Sequence, residues 1–176
     1  PTETSMLPIS NGMKRKLIIY PILFALFPIF SLISANAGEV AAVRAVDILL
    51  PILIALAGTL VVWFFARIIA RNAEKAALIT SLFVLIFFSY GYLRESVLGL
   101  FLGGINIGRH RYLLSAVGAI FAGSSFYFWR TRKNLSQLTS VLNATSVFLV
   151  AISLFGSISY LVSSPGDNFS SESQLA

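Results

Sequence analysis

Residues Ile48–Ala70 read ILLPILIALAGTLVVWFFARIIA, 23 positions that hold a single charge, Arg67, close to one end. A helix needs about 20 apolar residues to cross the hydrocarbon of a bilayer, and neither a buried strand nor a core helix of a soluble domain calls for a run this long. The stretch therefore predicts a transmembrane helix. Pro51 does not disturb that reading, because in a bilayer a proline kinks a helix packed against its neighbours rather than breaking it. Arg67 lies near enough to the end for its charge to reach the interface along its aliphatic stem.

Outward from this segment, four more stretches share its character: residues 17–35, 76–93, 112–129 and 138–162. Pro21 and Pro28 fall in the first and are read as Pro51 is. Trp63, Trp129, Tyr20, Tyr90, Tyr92, Tyr112 and Tyr127 fall mostly toward span ends, as the aromatic belts of a membrane protein do. The composition agrees. The chain is 57% hydrophobic and 11% charged, against about 45–50% and about 25% in an ordinary soluble domain, and so few charges would leave a water-soluble fold with bare apolar patches. The expected fold is all-α: a polytopic integral membrane bundle of five transmembrane helices in the cell (plasma) membrane, with the lipid bilayer as its first partner.

The basic residues give the expected orientation. With the N-terminus inside, the inner segments hold Lys14, Arg15, Lys16, Arg67, Arg71, Lys75, Arg130, Arg132 and Lys133, nine in all, and the outer ones hold Arg44, Arg94, Arg109 and Arg111, four in all. Cytoplasmic loops carry the excess of Lys and Arg, so nine against four predicts N-in and C-out. Residues 1–16 then form a cytoplasmic tail, residues 17–162 the membrane domain, and residues 163–176, rich in Ser and broken by Pro and Gly, an extracytoplasmic linker. A competing reading takes Lys14-Arg15-Lys16, the first apolar run and Ala35-Asn36-Ala37 as a signal peptide with its cleavage site; cleavage would leave four spans and the same outer C-terminus.

The one long loop, residues 91–111, is outer in this topology. Residues 93–102 read as an amphipathic interfacial helix with Leu93, Val97, Leu100 and Phe101 toward lipid, ended by Gly103-Gly104. The loop gathers Arg94, Arg109, His110 and Arg111, with Glu95. Guanidinium groups near headgroups bind phosphate bidentately, which suits an anionic phospholipid headgroup, while basic residues flanking spans serve more often as plain interfacial anchors. Both readings stand at the level of sequence.

Other chemistry finds little support. A net charge of +6 suggests nucleic acid only where it forms a stripe on a soluble surface, and here it sits in clusters between apolar runs, so no nucleic-acid partner is expected. Without cysteine there is no disulfide, thiolate site or Cys nucleophile, and one histidine with seven carboxylates makes a metal cage improbable. No phosphate-binding glycine loop, His-Glu-x-x-His or nucleophile elbow occurs, so no catalytic residue, metal ligand or cofactor is assigned. On the fifth span Ser140, Thr145, Ser146, Ser153, Ser157 and Ser159, with Asn143, read either as a polar path or, more commonly, as groups bonded within and between helices. Gly118 with Ala122 and Ala119 with Gly123 mark the fourth span as one that neighbours approach closely, hence as central. Asn168-Phe169-Ser170 is a formal glycosylation triplet.

Several phrases resemble, in order, the N-terminal membrane region of bacterial and archaeal sulfatase-like proteins of the alkaline phosphatase superfamily. They are Phe24-Ala25-Leu26-Phe27-Pro28-Ile29 leading to Asn36 and Gly38-Glu39-Val40; Glu74-Lys75-Ala76-Ala77-Leu78 through Phe87-Phe88-Ser89-Tyr90-Gly91; Gly108-Arg109-His110-Arg111-Tyr112-Leu113-Leu114; and residues 130–142. The resemblance implies a prokaryotic membrane anchor for an extracytoplasmic hydrolase or transferase domain acting on sulfate or phosphate esters, as in the architecturally related lipoteichoic acid synthases. The sequence in hand stops at Ala176, before such a domain, so no active-site residue carries over. The alternative is a freestanding small membrane protein, a transporter component or an assembly partner.

Overall fold

The computed structural model describes residues 17–36, 45–99, 101–103, 105–106 and 108–163. The polar N-terminal tail, the Ala-Asn-Ala-Gly cleavage motif beyond Asn36, and the glycosylation triplet lie outside them. The architecture is five helices: α1 Tyr20–Ala35, α2 Ala45–Ala70, α3 Ala73–Val97, α4 His110–Arg130 and α5 Ser136–Ser163. Between α3 and α4 lies a two-residue antiparallel ladder, β1 Phe101–Leu102 on β2 Ile105–Asn106, with Phe101 opposite Asn106 and Leu102 opposite Ile105.

Four of these helices, α2 to α5, are long and apolar enough to cross a membrane. α1 has 16 residues, about 24 Å at 1.5 Å per residue, which is shorter than the roughly 30 Å of bilayer hydrocarbon. Residues 17–19 precede it without helical structure. The span expected at residues 17–35 is thus helical only from Tyr20 onward.

Successive helices reverse direction. Asn72 turns the chain between α2 and α3 by capping α3, its Oδ1 accepting from the N–H groups of Glu74 and Lys75 at 2.9 and 3.2 Å, while Arg71 takes a left-handed φ of +52°. Lys75 at the start of α3 donates to the Trp129 carbonyl at the end of α4 at 2.8 Å. At the other end of the same pair, the Tyr90 hydroxyl meets His110 Nδ1 at 3.0 Å. The molecule therefore has a near end, where α1 begins and α2 ends, and a far end with Asn36, Arg94 and Arg109.

Helix α1 packs on α2, α3 and α5, and α3 on α1, α2 and α4. Tyr20, Phe24 and Ala25 on α1 form the core with Ala77, Leu78 and Val84 on α3 and with Leu135 before α5. Small residues at 76, 77, 80 and 81 let α3 come close there. The outward surface is apolar: Phe64, Phe65, Ile68 and Ile69 on α2, and Phe148 and Phe155 on α5, are all exposed. A contiguous surface of this kind suits lipid and would aggregate in water.

Two expectations are corrected. First, α4 is peripheral rather than central. It buries no residue, and added Cβ atoms at Gly118 and Gly123 would meet nothing within 4 Å, because its small residues face away from α3. Second, residues 93–102 do not form a separate interfacial helix. α3 runs on to Val97 and stops where Leu98 turns extended and Gly99 takes a left-handed φ of +86°, and the chain then enters the β ladder. The helix ends where the backbone turns, not where Arg94 and Glu95 introduce charge. On α5 the commoner reading of the hydroxyls holds for two of them: Ser146 donates to the Asn143 carbonyl at 3.0 Å and Ser153 to the Leu149 carbonyl at 3.1 Å, both on their own helix. The side chains of Ser157 and Ser159 lie outside the described residues.

Candidate functional site: a basic cleft at the far end

Arg94 sits in the last turn of α3, where a cation is favoured by the carbonyl end of the helix. Tyr90 and Arg94, four apart, share a face of α3, Leu98 follows as its extended C-cap, and this end of the helix meets the start of α4. Gly108 makes the approach possible. A Cβ there would lie 2.7 Å from the Val97 carbonyl oxygen and 2.9 Å from the Leu98 Cα, so only glycine lets the chain cross the end of α3 this closely. The next residues, Arg109 and His110, are held beside Arg94.

The result is a cleft of about 330 Å³ lined by Arg94, Leu98, Gly108, Arg109 and His110. Arg94 Nε is enclosed by protein and has no hydrogen-bond partner among the described residues. Arg109 occupies the N-cap position of α4 without making a side-chain cap, and no acidic residue stands in the first turn of that helix. The His110 ring stacks on Tyr90 with centroids 6.1 Å apart. Their hydrogen bond fixes the imidazole; when the Tyr90 hydroxyl donates, the ring proton is left on Nε2 as a second donor.

Of the four residues singled out from sequence, the fold brings three together. Arg111 is turned away: it donates to the Tyr112 hydroxyl at 2.9 Å and lies over that ring, 4.6 Å from its centroid. Glu95, about 100° around α3 from Arg94 by helical geometry, is exposed and lines no part of the cleft. By sequence Tyr90 is only a belt aromatic, and nothing in its spacing announces the contact with His110. Among the described residues no group of three or more His, Asp or Glu gathers where it could hold a metal ion.

Set beside known proteins, the chain matches no family model, no curated protein and no solved structure. Its chemistry has to be read from its own residues.

A second polar site lies at the near end. Asn143 Oδ1 accepts from the backbone N–H groups of Ile19 and Tyr20 at 3.2 and 3.1 Å, and its Nδ2 donates to the Leu17 carbonyl at 2.6 Å. Pro21 has no N–H, and Ile22 N–H reaches the Ile19 carbonyl at 3.1 Å. Every donor at the start of α1 is thereby accounted for. Free backbone groups at membrane depth are costly, and one side chain meets that demand.

Proposed function

We propose that this chain is a membrane anchor domain that crosses the bilayer five times, N-in and C-out, and holds an extracytoplasmic sulfatase-like hydrolase or phosphoglycerol-transferase-like domain at the membrane surface. The observation that carries the reading is the alternation of the helices, with α1 beginning at the near end and α5 finishing at the far end. Charge supports the orientation: among described residues the near end holds Arg67, Arg71, Lys75, Arg130, Arg132 and Lys133, and the far end Arg94, Arg109 and Arg111. Lipid-facing apolar surfaces and an α1 whose first turns are buried among α3 and α5 suit a static anchor. The nature of the cargo rests on the resemblance of the ordered phrases to sulfatase-like membrane regions.

The anchor reading is tested on the native protein. An antibody raised against residues 163–176 should detect, in membranes of the source cell, a polypeptide much larger than 19.1 kDa that carries metal-dependent sulfatase or phosphodiesterase activity on the outer side. A native band at 19.1 kDa would contradict it.

One observation favours the freestanding alternative. The face of α4 carrying Gly118, Ala119, Ala122 and Gly123 is exposed, and small residues of this kind permit close approach of another transmembrane helix, as an assembly partner would need.

A further inference from the structure

We propose that the far-end cleft is a binding site for a phosphate-type oxyanion, with Arg94 and Arg109 as its paired cations. The inference holds whether or not α5 leads into an extracytoplasmic domain. An anion site needs donors aimed at one volume, positive charge that no neighbouring carboxylate cancels, and a framework that keeps both in place. Among the described residues the cleft meets each requirement, Glu95 being exposed and lining no part of it. Arg94 enters from α3 and lines the cleft, and a guanidinium there offers charge-assisted donors to a ligand oxygen. Arg109 enters from α4, whose N-terminal turn has no side-chain cap and no acid and so adds the positive end of a helix. The framework is Gly108 against the end of α3 and Tyr90 against His110.

Geometry sets the specificity. The guanidinium fork matches two oxygens of a phosphate in one plane, and Leu98 gives the cleft one apolar wall. Arg111 does not belong to the site, although simple proximity in sequence would include it, because its guanidinium is engaged with Tyr112. The ligand's chemistry is a phosphate monoester or diester group. It can arrive on a lipid headgroup or free in solution, and the two sources are separable.

The test uses the full chain in mild detergent with native mass spectrometry as the readout. Phosphatidylglycerol and phosphatidylcholine are titrated against the wild-type protein and against Arg94→Gln, Arg109→Gln and Arg111→Gln, with inorganic phosphate as competitor. Wild type should retain phosphatidylglycerol in preference to phosphatidylcholine. Arg94→Gln and Arg109→Gln should each weaken that retention about tenfold, as loss of a charge-assisted hydrogen bond does, while Arg111→Gln stays within about twofold of wild type. Displacement by millimolar phosphate identifies a free oxyanion as a competent ligand, and resistance to it identifies the lipid headgroup. Equal losses in all three variants, or none in any, would overturn the proposal, since both outcomes describe unspecific surface charge. If Arg94→Gln does not fold, Arg109→Gln, whose side chain caps nothing, decides by itself.

Discussion

Asn143 on α5 holds the backbone of Tyr20 at the start of α1, with Oδ1 accepting the Tyr20 N–H at 3.1 Å. The same oxygen serves Ile19, and the amide nitrogen serves Leu17. Asn143 stands seven residues into α5, about 10 Å from that helix's beginning. α1 therefore starts below the end of its neighbour, and its short length is made good by the non-helical residues 17–19. Removing the carboxamide strands at least two backbone donors where water is scarce. Asn143→Leu should destabilise the fold by about 2–4 kcal/mol, summing the penalties for unsatisfied groups. The check is reversible unfolding in mixed micelles; a loss under about 0.5 kcal/mol, within the range of an unremarkable surface substitution, would mean that water replaces the side chain at no cost.

Tyr20 separates packing from hydrogen bonding. Its ring is fully buried in the core, and its hydroxyl reaches the Glu74 carbonyl only at 3.5 Å. Tyr20→Phe should cost about 1 kcal/mol or less, and Tyr20→Ala about 3–5 kcal/mol through the cavity it leaves. Thermal unfolding of both variants in one detergent gives the ratio, and similar losses would show that the hydroxyl, not the ring, fastens α1.

Glycines on either side of the molecule should respond in opposite ways. Gly108→Ala forces Cβ against the Val97 carbonyl and the Leu98 Cα, so it should cost about 1–3 kcal/mol by overpacking and weaken the Tyr90–His110 contact. Gly118→Ala meets open space and improves helix propensity, so it should be neutral or stabilising by up to about 1 kcal/mol. Stability of the two variants side by side is the measurement. If Gly118→Ala instead disrupts a native oligomer, α4 is a contact helix and the freestanding reading gains.

The turn between α2 and α3 is short, and Arg71 occupies it with a left-handed φ of +52°. A residue with a Cβ gives up about 1–2 kcal/mol in that conformation. Arg71→Gly should therefore raise stability by up to about 1 kcal/mol, read as a higher unfolding midpoint. A lower midpoint would show that the guanidinium makes a contact worth more than the strain.

How far the sequence discloses this structure differs from element to element. The apolar run at residues 48–70 is the body of α2 with no charge at its centre, because hydropathy over 20 residues reflects the solvent directly. The end of α3 is harder to place, because polar residues such as Arg94 and Glu95 mark where a membrane stops, and a helix continues past that point until its backbone turns, here at Leu98 and Gly99. The Gly118 and Ala122 spacing shows a face fit for close approach and cannot show whether a neighbour in this chain uses it. The clustering of Arg94, Arg109 and His110 is readable from one loop. The exclusion of Arg111 and the inclusion of Tyr90 depend on which way α4 faces. In the sequence Asn143 is one polar residue among the hydroxyls of α5; its partner lies 123 residues away, and no local spacing encodes that register.

The chain has no cysteine, so single introduced thiols report topology without background. Ser10→Cys and Ser170→Cys, each in otherwise unaltered protein, are exposed in intact cells to a maleimide that does not cross membranes. An odd number of crossings with the near end inside predicts that the thiol at position 170 is labelled at once and that the thiol at position 10 reacts only after the membrane is opened. Labelling of both positions from the same side would contradict the alternating five-helix arrangement on which the anchor role depends.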